Sequence, residues 1–97
     1  MDMKIAKYNR IRRLILEHLA PSHPHPVDSV MLRASLANLG YPMDDKSLES
    51  YLAYLAERGY LKTIEKKEFG IILVSITAGG LDALDGRITD PGIGLEA

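Results

Sequence analysis

Residues 44–81 read DDKSLESYLAYLAERGYLKTIEKKEFGIILVSITAGGL, and this stretch decides the fold. Its first half repeats apolar residues at the spacing of one helix face: Leu48, Leu52 and Leu55. The pattern predicts a helix over 44–58, because this face can be buried while the polar residues between its leucines stay in solvent. Asp44 or Asp45 is suited to cap the start of this helix, and Gly59 to end it.

The second half of the stretch predicts a β-hairpin followed by a short helix. Two runs rich in β-branched and apolar residues, Tyr60–Lys66 and Ile71–Ile76, are separated by four residues that include Gly70. Runs of this kind, joined by a short loop with glycine, are typical of paired antiparallel strands. Thr77 then offers a capping hydroxyl for a last helix over 78–85.

Two more helices are predicted upstream, over about 4–19 and about 29–39, and residues 40–43 form the turn before the third helix. The prolines between 21 and 26 make a stiff connector that cannot be helical. The order of three helices, a two-stranded hairpin and a short closing helix predicts an α+β fold, the winged helix-turn-helix. We expect this domain to cover 1–86, with 87–97 as a flexible C-terminal tail.

Composition restricts the class of protein. The chain has 97 residues, of which 46% are hydrophobic, so one modest core is expected. It has no cysteine, and no apolar run is long enough to span a bilayer, so we expect a cytoplasmic protein with no membrane association. The net charge is −1, yet residues 1–20 carry five cations and two carboxylates, whereas residues 77–97 carry one cation and four carboxylates. This polarity is compatible with binding either phosphate or a second protein.

The segment around Gly59 resembles the winged-helix regulators of the arsenic-repressor and multiple-antibiotic-resistance-repressor types. Five residues match the segment that closes their recognition helix: Leu52, Leu55, Gly59, Tyr60 and Leu61. Residues 76–81 are similar to the segment after their wing. The chain looks still more like small winged-helix proteins of Mu-like prophages, through three short motifs: Gly80-Leu81-Asp82, Gly86-Arg87 and Pro91-Gly92. The resemblance implies a homodimeric DNA-binding regulator.

Duplex DNA is therefore the expected partner, with the third helix (44–58) in the major groove and the wing (60–76) beside the phosphates. The candidate DNA-binding residues are Lys46, Ser47, Ser50, Tyr54, Lys66 and Lys67. However, residues 42–61 carry two cations against four carboxylates, and carboxylates near phosphates oppose binding. The alternative is a protein-interaction module of phage or prophage origin whose third helix meets a protein partner.

The first helix carries a wide apolar face, which suggests a homodimer. The candidate interface residues are Tyr8, Ile11, Leu14 and Ile15. His23 and His25 flank a proline in the connector, where a surface loop is a simpler interpretation than a metal site, because two histidines without cysteine make an incomplete ligand set. Without a phosphate loop, a zinc-protease pattern or an activated nucleophile, we expect no cofactor and no enzymatic activity.

Overall fold

The computed structural model describes residues 3–94, which fold into four α-helices and one three-stranded antiparallel sheet. The helices are α1 (Met3–Leu19), α2 (Ser29–Asn38), α3 (Asp45–Glu57) and α4 (Ala78–Leu84). The strands are β1 (Val27–Asp28), β2 (Leu61–Lys66) and β3 (Ile71–Ile76). Short 3-10 turns cover Ala20–Ser22, Lys67–Phe69 and Pro91–Ile93. No helix within the described range is long and apolar enough to cross a membrane.

Local capping chemistry explains where three of the helices begin. The Asp28 carboxylate accepts from the Val30 N–H at 2.7 Å, and the Asp44 carboxylate accepts from the Ser47 N–H at 2.8 Å. The Thr77 hydroxyl accepts from the Gly80 N–H at 3.1 Å. Each bond satisfies a backbone donor that the first helical turn leaves free. The α+β class is confirmed, and these helices begin at the predicted caps.

The sheet has one strand more than the sequence predicted. β2 and β3 form the expected hairpin, in register from Leu61 opposite Ile76 to Lys66 opposite Ile71. The two-residue β1 pairs with the other edge of β3, placing Val27 opposite Val74. The prediction of a two-stranded sheet was wrong because a strand of two residues after a proline-rich connector has no detectable alternation. β1 is therefore identified only from its pairing with β3 in the structure.

The glycine pair in α4 allows this helix to lie against the turn between α3 and β2. A Cβ atom on Gly80 would overlap the Tyr60 carbonyl oxygen, and it would lie only 2.6 Å from Cγ1 of Ile76. The Thr77 hydroxyl, besides capping α4, donates to the Gly59 carbonyl oxygen. Glycine would ordinarily weaken a helix interior. Here its missing side chain provides the space for helix and turn to meet.

The core lies between α1, α2, α3 and the sheet, and it contains most of the residues predicted to form a dimer interface. Ile11 and Ile15 are 1% and 0% exposed, and Leu14 is 9% exposed. The assignment of these three residues to a dimer interface was wrong, because their apolar surface is already buried within the chain. Tyr8 is the remaining candidate of that group, and it stays 43% exposed.

The C-terminal segment packs onto the domain over residues 90–94, so the expected flexible tail is wrong for this part. Ile93 is fully buried, and Asp90 is only 5% exposed. The Asp90 carboxylate accepts hydrogen bonds from the Tyr60 hydroxyl at 2.6 Å, from Nη1 of Arg58 at 3.2 Å and from the Gly92 N–H at 2.8 Å. The first two bonds hold the 3-10 turn against the end of α3 and the residue before β2. The part of the predicted tail over 95–97 lies outside the described residues.

Candidate functional site

Helix α3 presents four different surfaces, and only the one that faces the core is apolar. Leu48, Leu52 and Leu55 enter the core, as the periodicity predicted. One flank faces α1, and the other faces the sheet. Between the flanks the outermost line of the helix carries Lys46, Ser50, Ala53 and Glu57, all of them exposed. Two of the candidate DNA-binding residues, Lys46 and Ser50, are therefore free to meet a partner.

A groove runs between α1 and the first half of α3, and we call it the α1–α3 groove. It has a volume of about 320 Å³ and is lined by Tyr8, Arg12, Ser47, Ser50, Tyr51 and Tyr54. Three candidate DNA-binding residues thus meet one candidate interface residue in the same depression. The rings of Tyr8 and Tyr51 contact each other at a tilt, with 6.3 Å between their centroids. Burial, followed by the nearby Tyr8, raises the pKa of Tyr51 above its ordinary value.

Tyr54 does not lie on the outer surface where the sequence pattern placed it. Its ring is held between two guanidinium groups, with Cζ of Arg12 at 3.6 Å and Cζ of Arg58 at 4.5 Å from the ring centroid. A cation over an aromatic face is stabilised by the ring quadrupole. The Tyr54 hydroxyl lies against Gly92, where an added Cβ would collide with it. Tyr54 therefore holds the C-terminal segment in place, and its ring is not available to base edges.

Arg58 and Tyr60 bind Asp90 below this stack. The buried carboxylate forms a salt bridge with Arg58 at 3.2 Å and accepts the short bond from Tyr60. Burial and the hydrogen bond to Asp90 raise the pKa of Tyr60 to about 12. Tyr60 therefore keeps its proton over the physiological range, and the network has the donors that a buried carboxylate requires.

The flank of α3 that faces the sheet is acidic. A second groove, which we call the α3–sheet groove, has a volume of about 210 Å³ and is lined by Glu49, Leu52, Ala53, Ala56, Thr63, Glu65 and Ile72. Side chains alternate along β2, so Glu65 faces α3, whereas Lys62 and Lys66 lie on the other face of the strand. No cation lines this groove within residues 3–94. Glu49 and Glu65 thus give it a negative potential.

The wing lysines lie apart from the other candidate residues. Lys66 and Lys67 line a depression at the hairpin tip together with Glu49 and Glu65. They do not line the α1–α3 groove that brings Ser47, Ser50 and Tyr54 together. The tip also exposes an apolar ring, because Phe69 is 71% exposed. Five of the six candidates therefore divide between two surfaces on opposite flanks of α3, and Lys46 lies on the exposed line between them.

The start of α3 carries two further carboxylates with local partners. Asp45 forms a salt bridge with Arg33 at 2.8 Å. Hydrogen bonds from the Ser47 backbone N–H and side chain hold the pKa of the Asp44 carboxyl below its ordinary value. The salt bridge with Arg33 offsets the charge of Asp45, whereas Asp44, whose pKa is lowered, keeps its negative charge close to Lys46.

Asp90 is a site residue that the sequence reasoning missed, and Arg12 was considered only as one of several basic residues of the first helix. Arg12 lies one helical turn after Tyr8, so a cation on the face that carries Tyr8 was a detectable sign. Asp90 precedes Pro91-Gly92, and an aspartate before Pro-Gly has the chemistry of a turn cap. The sequence alone did not indicate which residues this turn would contact, because Tyr60 is 30 residues away along the chain.

The connector histidines have no metal-binding environment among residues 3–94. Nδ1 of His23 lies 3.2 Å from the Ile76 carbonyl oxygen, and His25 is exposed. No group of three or more His, Cys, Asp or Glu side chains in that range is arranged to hold a metal ion.

Comparisons of the chain with protein-family models, with curated proteins and with solved structures find no match. Any function must therefore be argued from the surfaces described above.

Proposed function

We propose that this chain is a winged helix-turn-helix protein that binds duplex DNA and regulates transcription. The observation that carries the proposal is the arrangement of α2, a six-residue connection and a half-exposed α3, followed directly by the β2–β3 hairpin. A helix presented in this way fits the major groove, and a neighbouring hairpin can reach the flanking phosphates. Lys46 and Ser50, at the exposed start of α3, are the residues that this proposal places nearest the DNA.

The charges support a docking pose that is shifted toward α1. The flank of α3 that faces the sheet carries Glu49 and Glu65, and phosphates would be repelled there. By contrast, α1 carries five Lys or Arg residues and one glutamate, and no carboxylate lines the groove between α1 and α3 over the described residues. We propose that the α1 side of α3 meets the phosphate backbone, with Lys66 and Lys67 as contacts at the edge.

The test is the fluorescence anisotropy of a labelled random duplex, titrated with protein at several salt concentrations. Non-specific DNA binders have dissociation constants of roughly 10⁻⁴ to 10⁻⁶ M at physiological salt. Lys46→Ala should weaken binding and reduce the salt slope by about 1, because one phosphate contact is lost. Arg87→Ala is the matched control, since it removes one exposed cation that lies after α4. The absence of binding by the wild-type chain at low salt, up to roughly 100 μM, would refute the proposal.

Glu49→Gln gives the converse test on the same helix. Removing this carboxylate should strengthen DNA binding severalfold, because repulsion of nearby phosphates is lost while the shape of α3 is retained. A weakening would place the sheet flank in a favourable contact instead, and would contradict the docking pose.

A second candidate function is a protein-interaction module, and the α3–sheet groove is the observation that favours it. The groove is lined by apolar side chains and two glutamates, and the nearby tip of the hairpin exposes Phe69. A basic amphipathic segment of a partner protein has the complementary chemistry. In that case a labelled basic amphipathic helical peptide binds the wild-type chain and loses affinity to Glu49→Gln and Glu65→Gln, while DNA binding is absent.

The proposed homodimer has to use other residues than the buried ones. Met3, Ile5 and Tyr8 are exposed near the start of α1, at 84%, 56% and 43% respectively. We propose that these side chains form the seam between two copies. A dimeric mass by light scattering that falls to one chain for Tyr8→Asp would support this arrangement, and a monomeric wild-type mass at high micromolar concentration would refute it.

A further inference from the structure

The α1–α3 groove contains a guanidinium group that is not matched by any acid. Arg12 donates from Nη1 to the Asn9 side-chain oxygen and to the Gly92 carbonyl oxygen, each at 3.2 Å. Its planar face covers the Tyr54 ring. Its Nε is buried and has no hydrogen-bond partner, and no carboxylate among residues 3–94 forms a salt bridge with it. Nη2 of Arg12 also has no partner among residues 3–94 and is not closed off from solvent as Nε is, so it is the Arg12 donor that an anion in the groove can reach.

The other residues that line the groove also favour an anion. The hydroxyl group of Ser50 and the phenols of Tyr8 and Tyr51 can donate hydrogen bonds toward the groove, whereas the Ser47 hydroxyl already bonds the Asp44 carboxylate. The carboxylate of Asp44, which caps the start of α3, is engaged by the Ser47 N–H and does not line the groove. An arginine fork with hydroxyl donors recognises phosphate well, and a cation would be repelled.

We propose that the α1–α3 groove is a binding site for a phosphate monoester or diester group that carries a flat apolar substituent. The phosphate would accept from Nη2 of Arg12 and from the hydroxyl of Ser50, and the substituent would lie against the ring of Tyr51. The volume of about 320 Å³ is at the small end of the range for ligand sites, which suits a group of this size. This site does not depend on DNA binding, because a small phosphate ester is sufficient to occupy it.

The direct test follows backbone amide signals by NMR while the full chain is titrated with phenyl phosphate or inorganic phosphate. Phenol and sodium chloride, at matched concentration and ionic strength, are the control titrations. We expect saturable shifts at Ser47, Ser50 and Tyr51 with the phosphates only, and a tighter constant for phenyl phosphate. The absence of saturable shifts up to about 20 mM, well above a dissociation constant of 1 mM that corresponds to roughly −4 kcal/mol, would overturn the proposal.

Ser50→Asp is the decisive variant, because this exposed position can be changed without touching the contacts that hold residues 90–94. A carboxylate at the groove should weaken phenyl phosphate binding about tenfold or more by like-charge repulsion. Ala34→Asp on α2 adds the same charge at another exposed helix position and should leave the affinity unchanged. Arg12→Gln should abolish binding, with urea unfolding measured in parallel because Arg12 also holds Gly92. Equal affinity of the wild type and Ser50→Asp would overturn the site.

Competition with duplex DNA identifies where the phosphate comes from. Displacement of phenyl phosphate by duplex assigns the groove to a backbone phosphate of DNA, and simultaneous binding of both assigns it to a small phosphorylated ligand. Phenyl phosphate binding without DNA binding would retain this site and refute the proposed function. DNA binding without phenyl phosphate binding would support the proposed function and refute this site.

Discussion

Ile93→Ala should destabilise the whole domain, although Ile93 lies in a segment whose sequence resembles a tail. The side chain is 0% exposed and belongs to the main hydrophobic core. Replacing it removes three carbon atoms, which corresponds to about 2.4 kcal/mol at roughly 0.8 kcal/mol each. A cavity adds to this loss, so buried Ile→Ala changes typically cost about 2–5 kcal/mol. The segment can also detach, which limits the loss to the free energy of its docking.

Urea unfolding followed by circular dichroism measures this effect. A domain of this size has a stability of about 5–15 kcal/mol, so a loss of 2–4 kcal/mol is a large fraction of the total. With a denaturant slope of about 1–3 kcal/mol/M, the midpoint should fall by about 1–3 M. Ile88→Ala is the matched control, because the same side chain is removed from a position in the same segment that is 43% exposed.

The docking of residues 90–94 can be refuted by the same measurements. If Ile93→Ala and Ile88→Ala both change the free energy of unfolding by less than about 0.5 kcal/mol, which is typical of surface positions, residues 90–94 do not dock as described. The same result would remove the support that Gly92 gives to Tyr54 and Arg12. Hydrogen exchange at the Gly92 and Ile93 amides, which is slow in a docked segment and fast in a detached one, would confirm the outcome independently.

Two further predictions concern the close contact of α4 and the buried tyrosine. Gly80→Ala should lower the free energy of unfolding in urea by about 1–3 kcal/mol, because the new methyl group overlaps the Tyr60 carbonyl oxygen. This is the reverse of the usual gain from Gly→Ala in a helix, and a stabilised variant would contradict the packing. Gly79→Ala should cost less, because its Cβ would lie 3.2 Å from the Gly59 carbonyl oxygen. Tyr60 has a folded pKa of about 12, above its ordinary value of 10.0, so its contribution to stability is complete below pH 10 and is lost as the pH rises toward 12. Unfolding measured across this window should show the loss in the wild type and a smaller one in Tyr60→Phe, and equal pH dependence of the two would refute the assignment.

The local structure of this protein was largely predictable from its sequence, because the causes are local. Helix α3 follows from three leucines at helical spacing and from the Asp44 cap, all within one segment. The hairpin follows from two apolar runs and a loop with Gly70, and α4 begins where Thr77 supplies a cap. Interactions of this kind connect residues a few positions apart, so the chain order alone contains them.

The candidate site depended on contacts between distant segments. Tyr54 occupies a predicted outer position of its helix, yet Arg12, Arg58 and Gly92 enclose it from three separate parts of the chain. The apolar face of α1 was detected correctly, but whether it is covered by its own core or by a second copy is a question of packing. The core covers Ile11 and Ile15.

Sequence by itself therefore determined the order of the four helices and the hairpin, the caps of three helices and the α+β class. Tertiary structure decided which surfaces remain open: it buried most of the expected dimer interface, docked residues 90–94 and brought Arg12 beside Ser47 and Ser50. The physical reason is that periodicity shows which side of an element is apolar, whereas the partner that covers it is chosen by the assembled core. Residues 44–81 accordingly specify α3 and the β2–β3 hairpin. The α1–α3 groove exists only because α1 packs against α3.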